Sequence, residues 1–118
     1  MKQLTEALRK ELVQRIVRNL LDVQILRLIR AEPMWGYRIK KQAEAKFGVK
    51  LRHGALYPML NKMERESFVI GQNQTKGGRI RKVYQITGKG EEYLKTYNKI
   101  LEEQMQKQEI EQRDQDEK

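Results

Sequence analysis

The sequence predicts a mostly α-helical protein with one small β-hairpin. Three observations predict it. Four segments before residue 67 carry apolar residues at helical spacing. Two short segments flank a Gly-Gly turn and read as paired strands. A last segment returns to helical spacing after Gly88 and Gly90. A length of 118 residues accommodates one domain with a modest core.

In the first element Leu4, Leu8, Leu12, Ile16 and Leu20 recur every fourth residue, with Val13 and Val17 beside them. The spacing predicts an amphipathic helix over about residues 3–19, with Arg9, Lys10, Gln14 and Arg18 on its other face. One helix cannot bury such a stripe alone, so it packs on the body or on a second subunit. Leu21–Ala31 is almost solid Leu, Ile and Val and predicts a buried helix, with Asp22 near its start and Pro33 marking its end. A third helix is expected over Gly36–Phe47, with Ile39, Ala43 and Phe47 inward, Arg38, Lys40 and Lys41 outward, and Gly48 as its stop.

The fourth helix is expected over Gly54–Glu66. Leu56, Leu60 and Met63 define its buried side, leaving Gly54, Tyr57, Asn61, Lys62 and Arg65 largely on the other. Pro58 places the helix start just before it. Residues 68–74 and 80–87 predict the two strands, with Tyr84 and Ile86 on one face and a turn over 75–79. The final helix carries Tyr93, Leu94, Tyr97, Ile100, Leu101 and Met105. From Gln106 onward only Ile110 is apolar, and the tail is expected to fray or be disordered.

The formal net charge is +9, unevenly placed. Residues 99–118 hold four basic and seven acidic residues, which leaves 21 basic against nine acidic, a net +12, in residues 1–98. A basic body with an acidic tail points to a polyanion, most plausibly nucleic acid. The absence of cysteine excludes disulfides, thiol catalysis and cysteine-ligated zinc. His53 is the only histidine and cannot anchor a metal cluster alone. No Gly-x-Ser-x-Gly element and no other catalytic set is present, so neither enzyme activity, cofactor nor metal is expected. No apolar run approaches the ~20 residues of a membrane span, and the N-terminus lacks a leader's apolar stretch. A cytoplasmic protein with no membrane partner is expected.

The element order is that of a winged helix-turn-helix with N-terminal and C-terminal helices added. In that geometry the fourth helix enters the major groove and the hairpin reaches the phosphates or the minor groove beside it. A groove about 12 Å wide admits one helix, whose exposed side must offer donors. Here it offers Tyr57, Asn61, Lys62 and Arg65. The hairpin tip gathers Lys76, Arg79, Arg81 and Lys82 around two glycines, where cations can neutralise phosphates and release counterions. Other features carry less. Trp35 fits core packing, Gly88-Lys89-Gly90 a simple turn, and Met59, Met63 and Met105 fill gaps.

Gly54-Ala55-Leu56-Tyr57-Pro58-Met59-Leu60, then Met63-Glu64-Arg65-Glu66, then Gly78-Arg79-Ile80-Arg81-Lys82-Val83-Tyr84-Gln85-Ile86-Thr87-Gly88-Lys89-Gly90 resembles the PadR family of transcriptional regulators. Trp35-Gly36-Tyr37 resembles the Gly-Tyr motif that opens the second helix of the family's unit. The resemblance covers about residues 20–100. It implies a homodimer whose interface uses the leading helix (Leu4, Leu8, Leu12, Ile16) and the helix after the wing (Tyr93, Tyr97, Ile100, Leu101). It implies a repressor that releases DNA when a small-molecule effector, often aromatic, or a stress signal acts. It carries DNA contact over to Tyr57, Lys62, Arg79, Arg81 and Lys82. The short C-terminus resembles the subfamily with a single dimerisation helix.

This chain also departs from the family pattern. Arg52-His53-Gly54-Ala55 stands where members carry Ser-Pro-Gly-Thr, so Arg52 and His53 are expected to contact phosphate in place of the missing hydroxyl. Ile80 replaces the wing proline, and the last helix has Tyr93 and Tyr97 but no Trp for an aromatic sandwich.

The expected organisation is therefore a leading dimerisation helix (1–20), a winged helix-turn-helix DNA-binding domain (21–88), a C-terminal dimerisation helix (89–107) and a polar tail (108–118). The expected function is sequence-specific regulation on double-stranded DNA. The alternative is a non-specific nucleic-acid-binding protein, architectural or RNA-binding, using the same basic surface. A ligand-carrying or protein-interaction module with an incidental basic face is a third reading.

Overall fold

The computed structural model describes the backbone of residues 5–117 and the side chains of residues 5–106 apart from His53. Leu4 therefore lies outside the described residues. Eight elements follow one another: α1 (Glu6–Asn19), α2 (Leu21–Ala31), β1 (Met34–Trp35), α3 (Gly36–Phe47), α4 (His53–Arg65), β2 (Val69–Lys76), β3 (Arg79–Ile86) and α5 (Gly88–Glu117).

α2 is the hub. Leu21, Val23, Ile25, Leu26, Leu28 and Ile29 are all buried, and the helix packs on α3, β3 and α5. Ile39 of α3, Leu56 and Leu60 of α4 and Leu94 of α5 close the core around it, each without solvent exposure. Glu32 ends α2 in an extended conformation, as Pro33 requires of the residue before it. Gly48 caps α3 through a bond from its N–H to the Glu44 carbonyl.

The sheet has three strands, not two. Its order is β1-β3-β2, all antiparallel, with Met34 opposite Tyr84 and Trp35 opposite Val83. The hairpin pairs along its whole length, from Val69↔Ile86 to Lys76↔Arg79. Gly77 (φ 61°) and Gly78 (φ 77°) both occupy the left-handed region. That is the two-residue turn whose twist matches antiparallel strands and which side chains resist. Tyr84 and Ile86 share the inward face, as their alternation predicts.

The joint between α4 and the hairpin is built from backbone. Ser67 adopts φ 66°, its N–H bonds the Glu64 carbonyl and the Phe68 N–H bonds the Met63 carbonyl. These are the two bonds of a Schellman helix ending, with serine in the place glycine usually takes. Thr87 then ties the start of α5 to this joint. Its hydroxyl donates to the Ser67 carbonyl at 2.6 Å and accepts the Gly90 N–H at 3.0 Å. Lys89 adds a bond to the Glu66 carbonyl. Gly88-Lys89-Gly90 is thus a capped helix start.

Three expectations are corrected. α4 begins at His53, so Pro58 lies in its second turn rather than at its start. The leading stripe does not stay on one side, because a spacing of four drifts about 40° per step on a helix of 3.6 residues per turn. Val17 is buried and Val13 and Leu20 pack on the core, whereas Ile16 is 54% exposed and Leu8 also faces out. The tail is helical. α5 continues to Glu117, in keeping with the strong helix propensity of Glu, Gln, Lys and Arg. Its first turns carry Gly90, Tyr93, Leu94 and Tyr97 onto the body, and beyond them Ile100 is 51% and Met105 66% exposed.

Candidate nucleic-acid interface

α4 buries Leu56, Leu60 and Met63 and turns Gly54, Pro58, Asn61 and Arg65 directly away from the core. Tyr57 and Lys62 do not share that direction. Five residues separate them, about 140° around the helix. The Tyr57 ring leans over Gly36 at the start of α3 and is half-buried. Lys62 is exposed on the opposite flank, at the rim of a cavity of about 290 Å³ that also involves Asp22, Leu26, Met59, Met63 and Tyr93. The outward face is therefore centred on Asn61 and Arg65, with Tyr57 and Lys62 at its edges. Neither acidic residue of this stretch sits at its centre. Glu64 turns to the hairpin, and Glu66 follows the helix end.

The hairpin projects beside this helix, exposed from Gln72 to Ile80. Strand alternation divides its cations. Lys76, Arg79 and Arg81 share one face with Val83, and Lys82 lies on the other with Tyr84. Arg81 is half-buried, its guanidinium 4.0 Å from the centre of the Trp35 ring, and Trp35 in turn lies 5.3 Å from Tyr37. Lys82 Nζ bonds Glu64 Oε1 at 2.6 Å, while Glu64 Oε2 accepts the Gly71 N–H at 3.1 Å. Gly71 leaves room for this approach, since a Cβ would stand 2.3 Å from Lys82 Cε and 2.7 Å from Glu64 Oε2. The hydrogen bond from Lys82, with its charge, holds the Glu64 carboxyl below its usual range, and the same bond raises Lys82. Burial raises the Tyr84 phenol beneath them.

Of the residues read as DNA contacts, Asn61 and Arg65 share the outward face of α4, Lys82 of the hairpin is tied to α4 through Glu64, and Lys62 stands on the flank away from that joint. Arg52 is exposed at the start of α4 and supplies no side-chain cap, so the helix opens on backbone bonds from Ala55 and Leu56 to the Arg52 carbonyl. The His53 side chain lies outside the described residues. Sequence reasoning passed over Glu64 and the partnership of Trp35 with Arg81. The inward positions of Tyr84 and Ile86 already implied that Lys82 turns toward α4; nothing local signalled β1. Among the described residues no acidic or histidine cluster could hold a metal, and no helix is long and apolar enough to cross a membrane.

The model of the transcriptional regulator PadR-like family matches residues 25–96, more than half of the chain. The chain belongs to the PadR-like family. A PadR-like transcription factor from Bacteroides fragilis has the same fold, with a TM-score of 0.70, 22% identity, and coverage of 82% of this chain and 94% of its own. A PadR-like regulator from Bacillus cereus gives a TM-score of 0.67 at 25% identity, covering 83% of this chain and 94% of its own. Bacillus subtilis PadR, solved in complex with operator DNA, gives a TM-score of 0.61 at 27% identity over 66% of this chain and 45% of its own. No curated protein matches the sequence. The family is one of regulators rather than enzymes.

Within this PadR-like fold Tyr93 is half-buried against the body. Its hydroxyl donates to Asp22 Oδ2 at 2.7 Å and its ring stacks on Phe68 at 4.6 Å. Burial first, then the bond to Asp22, pushes its pKa up to about 12. Tyr97 lies 5.9 Å further along α5 and also packs on the core. Ile80, in the place of the family's wing proline, is 73% exposed near the hairpin tip.

Proposed function

We propose that this PadR-like protein is a cytoplasmic, homodimeric transcriptional regulator that binds double-stranded DNA in a sequence-specific way. α4 is its recognition helix, with Asn61 and Arg65 central and Tyr57 and Lys62 at the edges. The hairpin is its wing, set on the phosphates alongside, and Arg52 and His53 stand at the N-terminal end of α4, where backbone phosphate is reached. One observation carries the reading: the outward face of α4 and the cationic hairpin stand side by side, joined through Glu64 and Lys82. A helix for the groove and a ribbon for the backbone are what a winged helix-turn-helix needs.

The dimer rests on apolar residues that one chain leaves uncovered: Leu8 and Ile16 on α1, Ile100, Leu101 and Met105 on α5. Leu12, half-buried, borders this set, while Tyr93 and Tyr97 serve the body first. A two-fold dimer presents two recognition helices about 34 Å apart to a near-palindrome. The regulator acts as a repressor, and a small effector acts at the cavity between α2, α4 and α5, where Asp22, Met59 and Lys62 offer polar and adaptable contacts.

Selection of genomic fragments by the purified protein tests this reading. The expected result is enrichment of a two-fold symmetric site near promoters. Arg65→Gln should then cost about 1–3 kcal/mol of binding to that site and relax one base position in each half. Equal retention of all fragments would replace the reading with non-specific nucleic-acid binding.

A further inference from the structure

Consecutive cations on β3 face opposite sides of the ribbon and have different neighbours. Arg81 lies against Trp35 of β1, which touches Tyr37 of α3. Lys82 is paired with Glu64 of α4, and the other oxygen of that carboxylate bonds the β2 backbone at Gly71. The two contacts grip the ribbon partway along its length, one from each face. Further out, Lys76 and Arg79 face each other across the turn, exposed, and among the described residues neither has an ion-pair partner. A two-stranded ribbon exposed on both faces has little rigidity of its own.

We infer that the four wing cations form two pairs with different work: Lys76 and Arg79 bind phosphate, while Arg81 and Lys82 hold the ribbon, through Trp35 and Glu64, at a fixed angle to α4. Trp35 and Glu64 are then positioning residues. The phosphate half of this division rests on the duplex-binding reading above; the holding half does not. Gly71 provides a way to release the grip without altering charge. The atoms a Cβ would meet there are the ends of two flexible side chains, so Gly71→Ala is accommodated by giving up the Lys82–Glu64 bond.

The test has two arms. The first is the salt dependence of anisotropy titrations with a labelled duplex from the upstream region of the protein's own gene. Lys76→Gln and Arg79→Gln should each flatten the log–log slope by about one. Arg81→Gln, Lys82→Gln and Gly71→Ala should leave the slope in place and lower the preference for this duplex over random duplex. A slope flattened by about one in Arg81→Gln or Lys82→Gln would make those residues phosphate contacts and overturn the division.

The second arm is amide hydrogen exchange of the free protein. Glu64→Gln, Gly71→Ala and Arg81→Gln should speed exchange of the ribbon amides about tenfold while α2 stays protected. Trp35 is the only tryptophan, so Arg81→Gln should also expose its emission to quenching. Unchanged ribbon exchange in all three variants overturns the grip. A wild-type protein that binds no duplex at low salt sinks the DNA reading and the phosphate half with it, and hydrogen exchange alone then decides the holding half.

Discussion

Residues 21–88 and the two flanking helices place their apolar side chains differently. In the winged body nearly every large apolar residue of α2, α3 and α4 is buried or packed on the core. Among the described residues α1 contributes only Val17 to the buried set, and α5 only Leu94 among its apolar residues. Val13, Tyr93 and Tyr97 pack on the core, while Leu8, Ile16, Ile100, Leu101 and Met105 point outward, and α5 runs on through Glu117, giving the molecule extents of 68 × 33 × 22 Å. The body is completed by its own chain. The flanking helices have faces that one chain leaves open, which is where association with a second copy would find its driving force.

The comparison can be broken at several points, starting where the effect is largest. Leu60→Ala removes a fully buried side chain between α4 and the rest of the core and should cost about 2–5 kcal/mol in urea unfolding. Ile100→Asp on the open face of α5 should leave the body folded yet weaken the proposed dimer by about 2 kcal/mol or more, read as a shift toward monomer in sedimentation. Equal losses of stability in the two variants would erase the distinction between body and flank.

Ser67→Gly sharpens the account of the joint between α4 and the wing. A serine at φ 66° is strained where glycine is not, so the replacement should stabilise the protein by about 0.5–1 kcal/mol. A loss instead would mean that the side chain matters more than the backbone there. A further test concerns Tyr93, the point where α5 meets α2. Its pKa is raised from 10.0 to about 12, so the fold favours the neutral phenol. The associated stability is complete below pH 10 and is lost as pH rises toward 12. Phenolate absorbance should show late ionisation among the five tyrosines, with Tyr84 also raised, and Tyr93→Phe should remove the part of it near pH 12.

Helix order, the hairpin and its Gly-Gly turn were legible because each depends on local spacing and turn chemistry. α3 follows its apolar spacing from Gly36 to the Gly48 cap, and β3 follows the alternation of Tyr84 and Ile86. β1 was not legible. Two residues after a proline make no pattern, and their pairing with β3 spans about fifty positions. The wing cations were legible as a cluster but not as a division, because the cluster was counted along the chain while the strand sorts it by face. The side of α4 was read too broadly for a similar reason, since Tyr57 and Lys62 fall on opposite flanks of one helix. The helical tail was missed because its low apolar content says nothing about the helix propensity of Glu, Gln, Lys and Arg.

Chemical acylation of lysines in the presence and absence of an enriched duplex addresses the binding surface itself. Lys62 at the edge of α4 and Lys76 at the wing should lose reactivity when duplex is added, while Lys95 and Lys99 on α5 keep theirs. Protection of the α5 lysines with Lys62 and Lys76 still reactive would place the DNA elsewhere and contradict the account.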